Sequence, residues 1–252
     1  MAVEYLNRGM YDIVEVARLI GRSPDTIARW TSQRGDRQPL LVPEHNKVLF
    51  SFVDLVSLDI ASHLRRRGAT LVTIDRASRF LAAALHTRWP LAHAKLATAG
   101  AGIFAELAQS GGFELPLARV PVLKTEAGVH RPTVRVDDEP DAEDELDLEW
   151  FDAGQWGQRA FQKMLRKELR PFEYGSDDMV LRWKPRPRIA LDPAIQAGAP
   201  CVQHTRVPTH LLWELRRAGE DIHDIAGDYD LPQEDVLAAI EWEEHLERAV
   251  AA

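Results

Sequence analysis

A single cysteine, Cys201, stands among the 252 residues, which excludes an internal disulfide framework and a four-cysteine zinc site and agrees with a reducing cytoplasm. No apolar run approaches the roughly 18 residues of a membrane helix, and no basic-then-apolar leader opens the chain. A cytoplasmic protein with no membrane association is therefore expected. Also missing are a phosphate-cradling P-loop, a G-x-S-x-G elbow and an H-E-x-x-H pair. Cys201, His204 and His210 make a Cys-x2-His start without further ligands at matched spacing, and a lone cysteine is more often a small buried apolar residue. The carboxylates are abundant but scattered, with no pocket to assign them acid or base roles. The expectation is a protein that is not an enzyme, with no metal and no cofactor.

What is present is an uneven charge. The net −8 divides into 13 Lys+Arg against 9 Asp+Glu over residues 1–88, 10 against 14 over 89–170, and 8 against 16 over 171–252, or +4, −4 and −8. Only the first part of the chain gains much by displacing counterions from a phosphate backbone. An apolar content of 45% is ample for packed cores, and the length suits two or three small domains. Three are expected: 1–88, 89–187 and 188–252.

The stretch Asp12 to Trp30, DIVEVARLIGRSPDTIARW, predicts a helix-turn-helix. Ile13, Val16, Ala17 and Ile20 fall at helical spacing, and Gly21 ends that helix. Ser23 before Pro24 starts a second: the hydroxyl caps free N–H groups, and proline loses nothing at the first helical position. Ile27 and Trp30 mark its inward side, which leaves Arg22, Asp25, Thr26 and Arg29 to face outward as a recognition surface. Pro39 to Val42 and Lys47 to Phe50, around Pro43 to Asn46, predict a hairpin in the position of a wing. With the second helix they supply the expected DNA contacts: Arg22, Ser23, Asp25, Thr26, Arg29, Arg34, Arg37, His45 and Lys47. Ser51 with Asp54 caps a third helix striped by Val53, Val56, Ile60 and Leu64, and Arg65, Arg66 and Arg67 close it favourably for the helix dipole. Thr70 opens a fourth, lined by Leu71, Ile74, Ser78, Leu81 and Leu85, reaching about His86.

This first third of the chain resembles the winged-helix DNA-binding domain of MerR-type regulators, with Thr26 to Trp30 as its T-I-A-R-W segment. It departs from them where Trp89-Pro90 stands in place of a long dimerisation helix. Residues 89–187 predict a small α+β domain. Ala94 to Thr98 and Gly102 to Leu107 suit a hairpin, Gln155 to Leu169 a helix, and Phe172 to Tyr174 with Met179 to Trp183 a strand-turn-strand about Gly175 to Asp178. The acidic run Asp137 to Glu149 reads as a solvated loop, or as a strap over a basic partner surface.

Near the C-terminus stand Asp192-Pro193, then Gly198-Ala199-Pro200, then Thr205-Arg206-Val207-Pro208, followed by three short helical patterns. Leu212 and Leu215 stripe the first, Ile222, Ile225, Ala226 and Tyr229 the second, and Val236, Ala239 and Ile240 the third, which starts at Leu231-Pro232. The prolines and Gly198 fix turns, and Arg206 is placed to bond carbonyls that those turns leave free. Glu234, Asp235, Glu241, Glu243 and Glu244 on the third helix are repelled by phosphates, so the trihelical unit is expected to bind protein. Residues 188–242 are similar to the domain-of-unknown-function family 433, with His204 where that family commonly has glycine.

The fold expected is mainly α with a smaller α+β middle part, a winged helix-turn-helix at the N-terminus and a trihelical module at the C-terminus. Taken together, the two ends resemble large antitoxins of the VapB-like group. The resemblance implies an antitoxin that binds a PIN-like ribonuclease toxin and represses its own promoter by binding operator DNA. A homodimer is expected to place two recognition helices in successive major grooves. The alternative is a one-component regulator whose middle domain senses a small ligand in a pocket lined by residues such as Phe104, Trp150 and Trp183.

Overall fold

The computed structural model describes residues 6, 8–33, 39–42, 49–66, 69–96, 122–124, 130–132 and 165–251. Asp12 begins the first helix, α1 (Ile13–Ile20), by accepting a bond from the Glu15 N–H at 2.8 Å. Gly21 stops it in the left-handed conformation at φ 63°, its N–H turned back to the Ala17 and Arg18 carbonyls. Ser23 then caps α2 (Pro24–Thr31), accepting from the Thr26 N–H at 3.2 Å. Val16, Ala17, Leu19 and Ile20 of α1 and Ile27 and Trp30 of α2 are buried. Two helices of 8 residues each are too short to hold themselves in water, so their persistence rests on this packing.

The third helix, α3 (Phe52–Arg66), opens on a reciprocal cap. Ser51 Oγ accepts from the Asp54 N–H at 3.2 Å, and Asp54 Oδ2 accepts from the Ser51 N–H at 3.0 Å. The predicted stripe is buried, and so is every residue from Phe52 to Ser62. A helix buried on all sides is a central one, and α3 packs against α1, against α4 (Leu71–Leu85), against the tight turn Pro90–Ala92 and against the sheet. Thr70 caps α4 by accepting from the Thr73 N–H at 3.1 Å. Trp89 Nε1 donates to Asp54 Oδ1 at 3.0 Å, tying the end of this unit to the α3 cap.

Two expectations are revised. Phe50 does not pair with 39–42 among the described residues: its backbone pairs with Tyr11, while the Leu40 N–H bonds the Trp30 carbonyl at 2.8 Å. The turn of the predicted hairpin, 43–48, lies outside the described residues. Ala94 and Lys95 form a turn, with the Ala94 N–H on the Asp178 carbonyl at 2.8 Å, so no strand begins there. The reading of 102–107, of 137–149 and of the helix over 155–164 lies outside the described residues, whereas 165–169 are helical as predicted.

The described strands all pair antiparallel. β1 (Val122–Lys124) pairs with β2 (His130–Pro132). β3 (Phe172–Tyr174), β4 (Val180–Arg186), β5 (Ile189–Leu191) and β6 (Cys201–Val202) form a second sheet in that order. The strand-turn-strand about Gly175 to Asp178 is found, with Phe172 opposite Trp183. Strands on both sides of residue 187 thus belong to one sheet. Three helices follow, α5 (Thr209–Arg217), α6 (Ile222–Asp228) and α7 (Gln233–Ala251). At 19 residues α7 is the longest of the described helices, because its buried spacing continues past Trp242 to Leu246. It packs on α5, α6, β5 and β6, and also on α1 at the other end of the chain. The described fold is mainly helical with a small four-stranded antiparallel sheet, and none of its helices is long and apolar enough to cross a membrane.

One buried carboxyl gives the fold a pH signature. Asp59 on α3 is 4% exposed, and burial pushes its carboxyl up to about 6, Glu168 adding to the rise while His63 and Arg66 oppose it. His63 Nε2 meets Glu168 Oε2 at 3.2 Å, linking α3 to the 165–169 helix. With the folded value raised, the stability contributed by protonated Asp59 is full below its ordinary value near about 4 and is lost as pH rises through about 6. Asp59→Asn is expected to remove that fall, measured as the urea midpoint across the window. An unchanged slope in the variant contradicts the assignment.

Candidate nucleic-acid interface

On the outer side of α2, opposite Ile27 and Trp30, Asp25 and Arg29 are exposed and Thr26 is half-buried. Arg29 Nη2 donates to Thr26 Oγ1 at 2.9 Å and Nε to the Asp25 carbonyl at 3.3 Å. Ser23 Oγ lies 2.9 Å from Thr26 Oγ1 while also capping the helix. Ser23, Asp25, Thr26 and Arg29 are therefore brought together as one polar surface on one side of the helix.

Arg22 is placed differently. Its Nε donates to Ser62 Oγ at 2.7 Å and its Nη2 to the Ser62 carbonyl at 3.2 Å, with the guanidinium 5.9 Å from the Trp30 ring centroid. It faces α3, not outward as expected, and fixes the turn between α1 and α2 against the central helix. Burial lowers its pKa, and the charges of Arg66 and Arg65 lower it further. Those two exposed arginines at the end of α3 thus add positive potential beside the turn. Their sequence signal pointed only to helix closure. Arg34, Arg37, His45 and Lys47 lie outside the described residues.

The C-terminal signature is a set of bonded turns. Asp192 accepts Arg182 Nε and Nη2 at 3.1 and 2.7 Å and the Ala194 N–H, which follows Pro193, at 2.9 Å. The Gly198 carbonyl accepts the Tyr11 hydroxyl at 2.9 Å, and the Pro200 carbonyl accepts the Thr209 N–H at 2.9 Å. Thr205 Oγ1 donates to the Val202 carbonyl at 2.9 Å, and Pro208 bridges Cys201 before opening α5. Arg206 offers its own carbonyl to Gln196 Nε2 at 3.0 Å, in place of the predicted guanidinium contacts. His204 takes a φ of 64°, the region that glycine enters without cost. A small open cleft of about 70 Å³ lies between Arg182, Lys184, Asp192, Cys201, His204 and Thr205. Burial pushes the Cys201 thiol up to about 11, which disfavours the thiolate that reactivity needs.

The acidic helix also divides. Glu241 and Glu244 are exposed, and Glu234 and Asp235 pair with Arg188. Glu243 is 1% exposed: it accepts the Thr209 hydroxyl and pairs with Arg18 of α1. The expectation of an outward carboxylate at 243 is corrected, because α7 turns this position onto α1.

A model of the family described as a protein of unknown function, DUF433, matches residues 189–242. The match shows the likeness read from the turns of the C-terminal signature. A crystal structure of Rv2018 from Mycobacterium tuberculosis is 18% identical, with a TM-score of 0.64 over 92% of this chain and 98% of that one. At that identity the likeness is one of fold alone. No curated protein matches the chain.

Arg22→Ala is expected to lower unfolding stability by about 1.5–3 kcal/mol, the range for hydrogen bonds to charged groups, read from the urea midpoint. Unchanged stability with loss of DNA binding would instead put Arg22 on the outward surface.

Proposed function

We propose that this chain is an operator-binding antitoxin, which represses its own promoter as a homodimer and neutralises a PIN-like ribonuclease toxin by direct contact in the cytoplasm. The observation that carries the DNA half is the pair α1 and α2, capped at Gly21 and Ser23 and fixed on α3, with Asp25, Thr26 and Arg29 on the side away from Ile27 and Trp30. The charge division supports it, since the +4 of residues 1–88 is confined to the part that would meet phosphates. The resemblance of the first helices and turn to MerR-type regulators agrees with it. The toxin half is supported by the resemblance of both ends together to large VapB-like antitoxins. It is supported too by the exposed carboxylates of α6 and α7, which suit a protein surface and not a nucleic acid.

Two measurements test the two halves. Arg29→Ala is expected to weaken binding to a labelled duplex from the chain's own promoter by about 1–3 kcal/mol, the worth of a base-edge contact. Unchanged anisotropy titrations remove Arg29 from the recognition surface. Gentle purification of the tagged protein from its native host is expected to bring a stoichiometric PIN-like ribonuclease. A protein that comes alone, yet shifts its promoter, favours a regulator that senses a ligand through its middle part.

A further inference from the structure

The turns of the DUF433 match hold something besides themselves. Gly198 sits at φ 79°, and a Cβ there would meet the Tyr11 ring, with Cζ at 2.9 Å and the hydroxyl closer still. Tyr11 is 1% exposed, and its hydroxyl reaches the Gly198 carbonyl across 187 positions of sequence. Its own backbone is fixed by Phe50 at the threshold of α3. Glycine at 198 is thus required twice, once by the backbone and once by the tyrosine.

Further along α1 the pattern repeats. Thr209, fully buried, donates its hydroxyl to Glu243, and Glu243 faces Arg18 in the last turn of α1. Past the end of the helix, a Cβ built on Gly21 would lie 3.7 Å from Ala249 Cβ of α7. Tyr11 and Arg18 therefore touch the C-terminal module before and within α1, and Gly21 passes close to it after the helix. The Tyr11 contact lands inside the family match at Gly198, and the Arg18 contact lands on Glu243, one residue beyond its end, which Thr209 inside the match holds in place.

We propose that the Gly198-to-Pro200 turn, Thr209 and Glu243 form a docking socket whose occupant is the first helix of a helix-turn-helix, gripped by a tyrosine hydroxyl before it and an arginine in its last turn. In this chain the occupant is supplied from the N-terminus, and the socket sets the pose from which α2 reaches DNA. The module's signature then serves as a receptor for α1, on a side distinct from the acidic outer face of α6 and α7. The consequence for operator affinity rests on the DNA-binding reading above, whereas the socket itself does not.

Amide hydrogen exchange on the full chain separates the two. Thr209→Val and Tyr11→Phe, each removing one hydroxyl from the joint, are expected to speed exchange at 13–20 by about tenfold, while amides of 210–228 keep their protection. Thr209→Ser restores the original pattern. Binding to the promoter duplex falls by about threefold with the salt slope unchanged, because no phosphate contact is lost. Unchanged exchange at 13–20 in both variants overturns the socket, as does an equal loss of protection over 210–228. If the original protein leaves the promoter duplex unshifted while exchange at 13–20 follows position 209, the socket stands and the DNA-binding reading falls.

Discussion

The Glu243 carboxylate, shut away from water between Arg18 and Thr209, is the constraint on which the arrangement of the chain depends. Removing a carboxylate from water costs several kcal/mol, and that cost is recovered only when its lone pairs meet donors in good geometry. Here one donor comes from α1 and the other from the start of α5, so the carboxylate is satisfied only if residues far apart in sequence arrive together. Arg18 keeps a third of its side chain exposed, which screens the pair and makes the hydroxyl of the fully buried Thr209 the more protected of the two bonds. The neighbouring Tyr11 hydroxyl obeys the same rule. Burial and then the charges of Glu15, Asp192 and Cys201 push its pKa up, so it stays a donor, and the Gly198 carbonyl is the acceptor it finds.

Around that joint the work is divided. Helix α3 is buried from Phe52 to Ser62 and serves as the post to which the other elements attach. Arg22 fixes the α1–α2 turn to it through Ser62, and Trp89 fixes the far end through Asp54. With its inner face committed to Ile27 and Trp30, α2 carries Asp25, Thr26 and Arg29 as a polar outer face. A surface held this rigidly loses little further freedom on meeting a ligand, which is the physical advantage of placing a binding face on a braced helix.

Local structure was legible in the sequence because its causes are local. Ser23 before Pro24, Gly21 after a short apolar stripe, and Ser51 with Asp54 three residues on each set a helix end through contacts within four residues, and each is found. The strand-turn-strand about Gly175 and the three C-terminal helices follow from spacing in the same way. What escaped has a different origin. Nothing near Tyr11 announces Gly198, and nothing near Arg18 announces Glu243, since the pairs are 187 and 225 positions apart. The place of Arg22 in a helix-turn-helix pattern points outward, and Ser62, which captures it, lies on another helix 40 positions away. Glu243 was grouped with its acidic neighbours because charge patterning does not distinguish a carboxylate facing water from one turned onto an arginine. A glycine in a family motif reads as a turn former, and only the tyrosine against it gives the second reason for its presence.

The helix face proposed to meet DNA is thus tied to the C-terminal module through one shared, buried contact. The measurement that tests this most directly is a double-mutant cycle on unfolding stability with Arg18→Met, Glu243→Gln and the pair together. A real joint predicts a coupling energy above about 1 kcal/mol, because the second substitution removes a partner that the first has already left without its charge. Additivity within about 0.5 kcal/mol would mean that the two side chains do not sense one another, and that the two ends of the chain are held by something else.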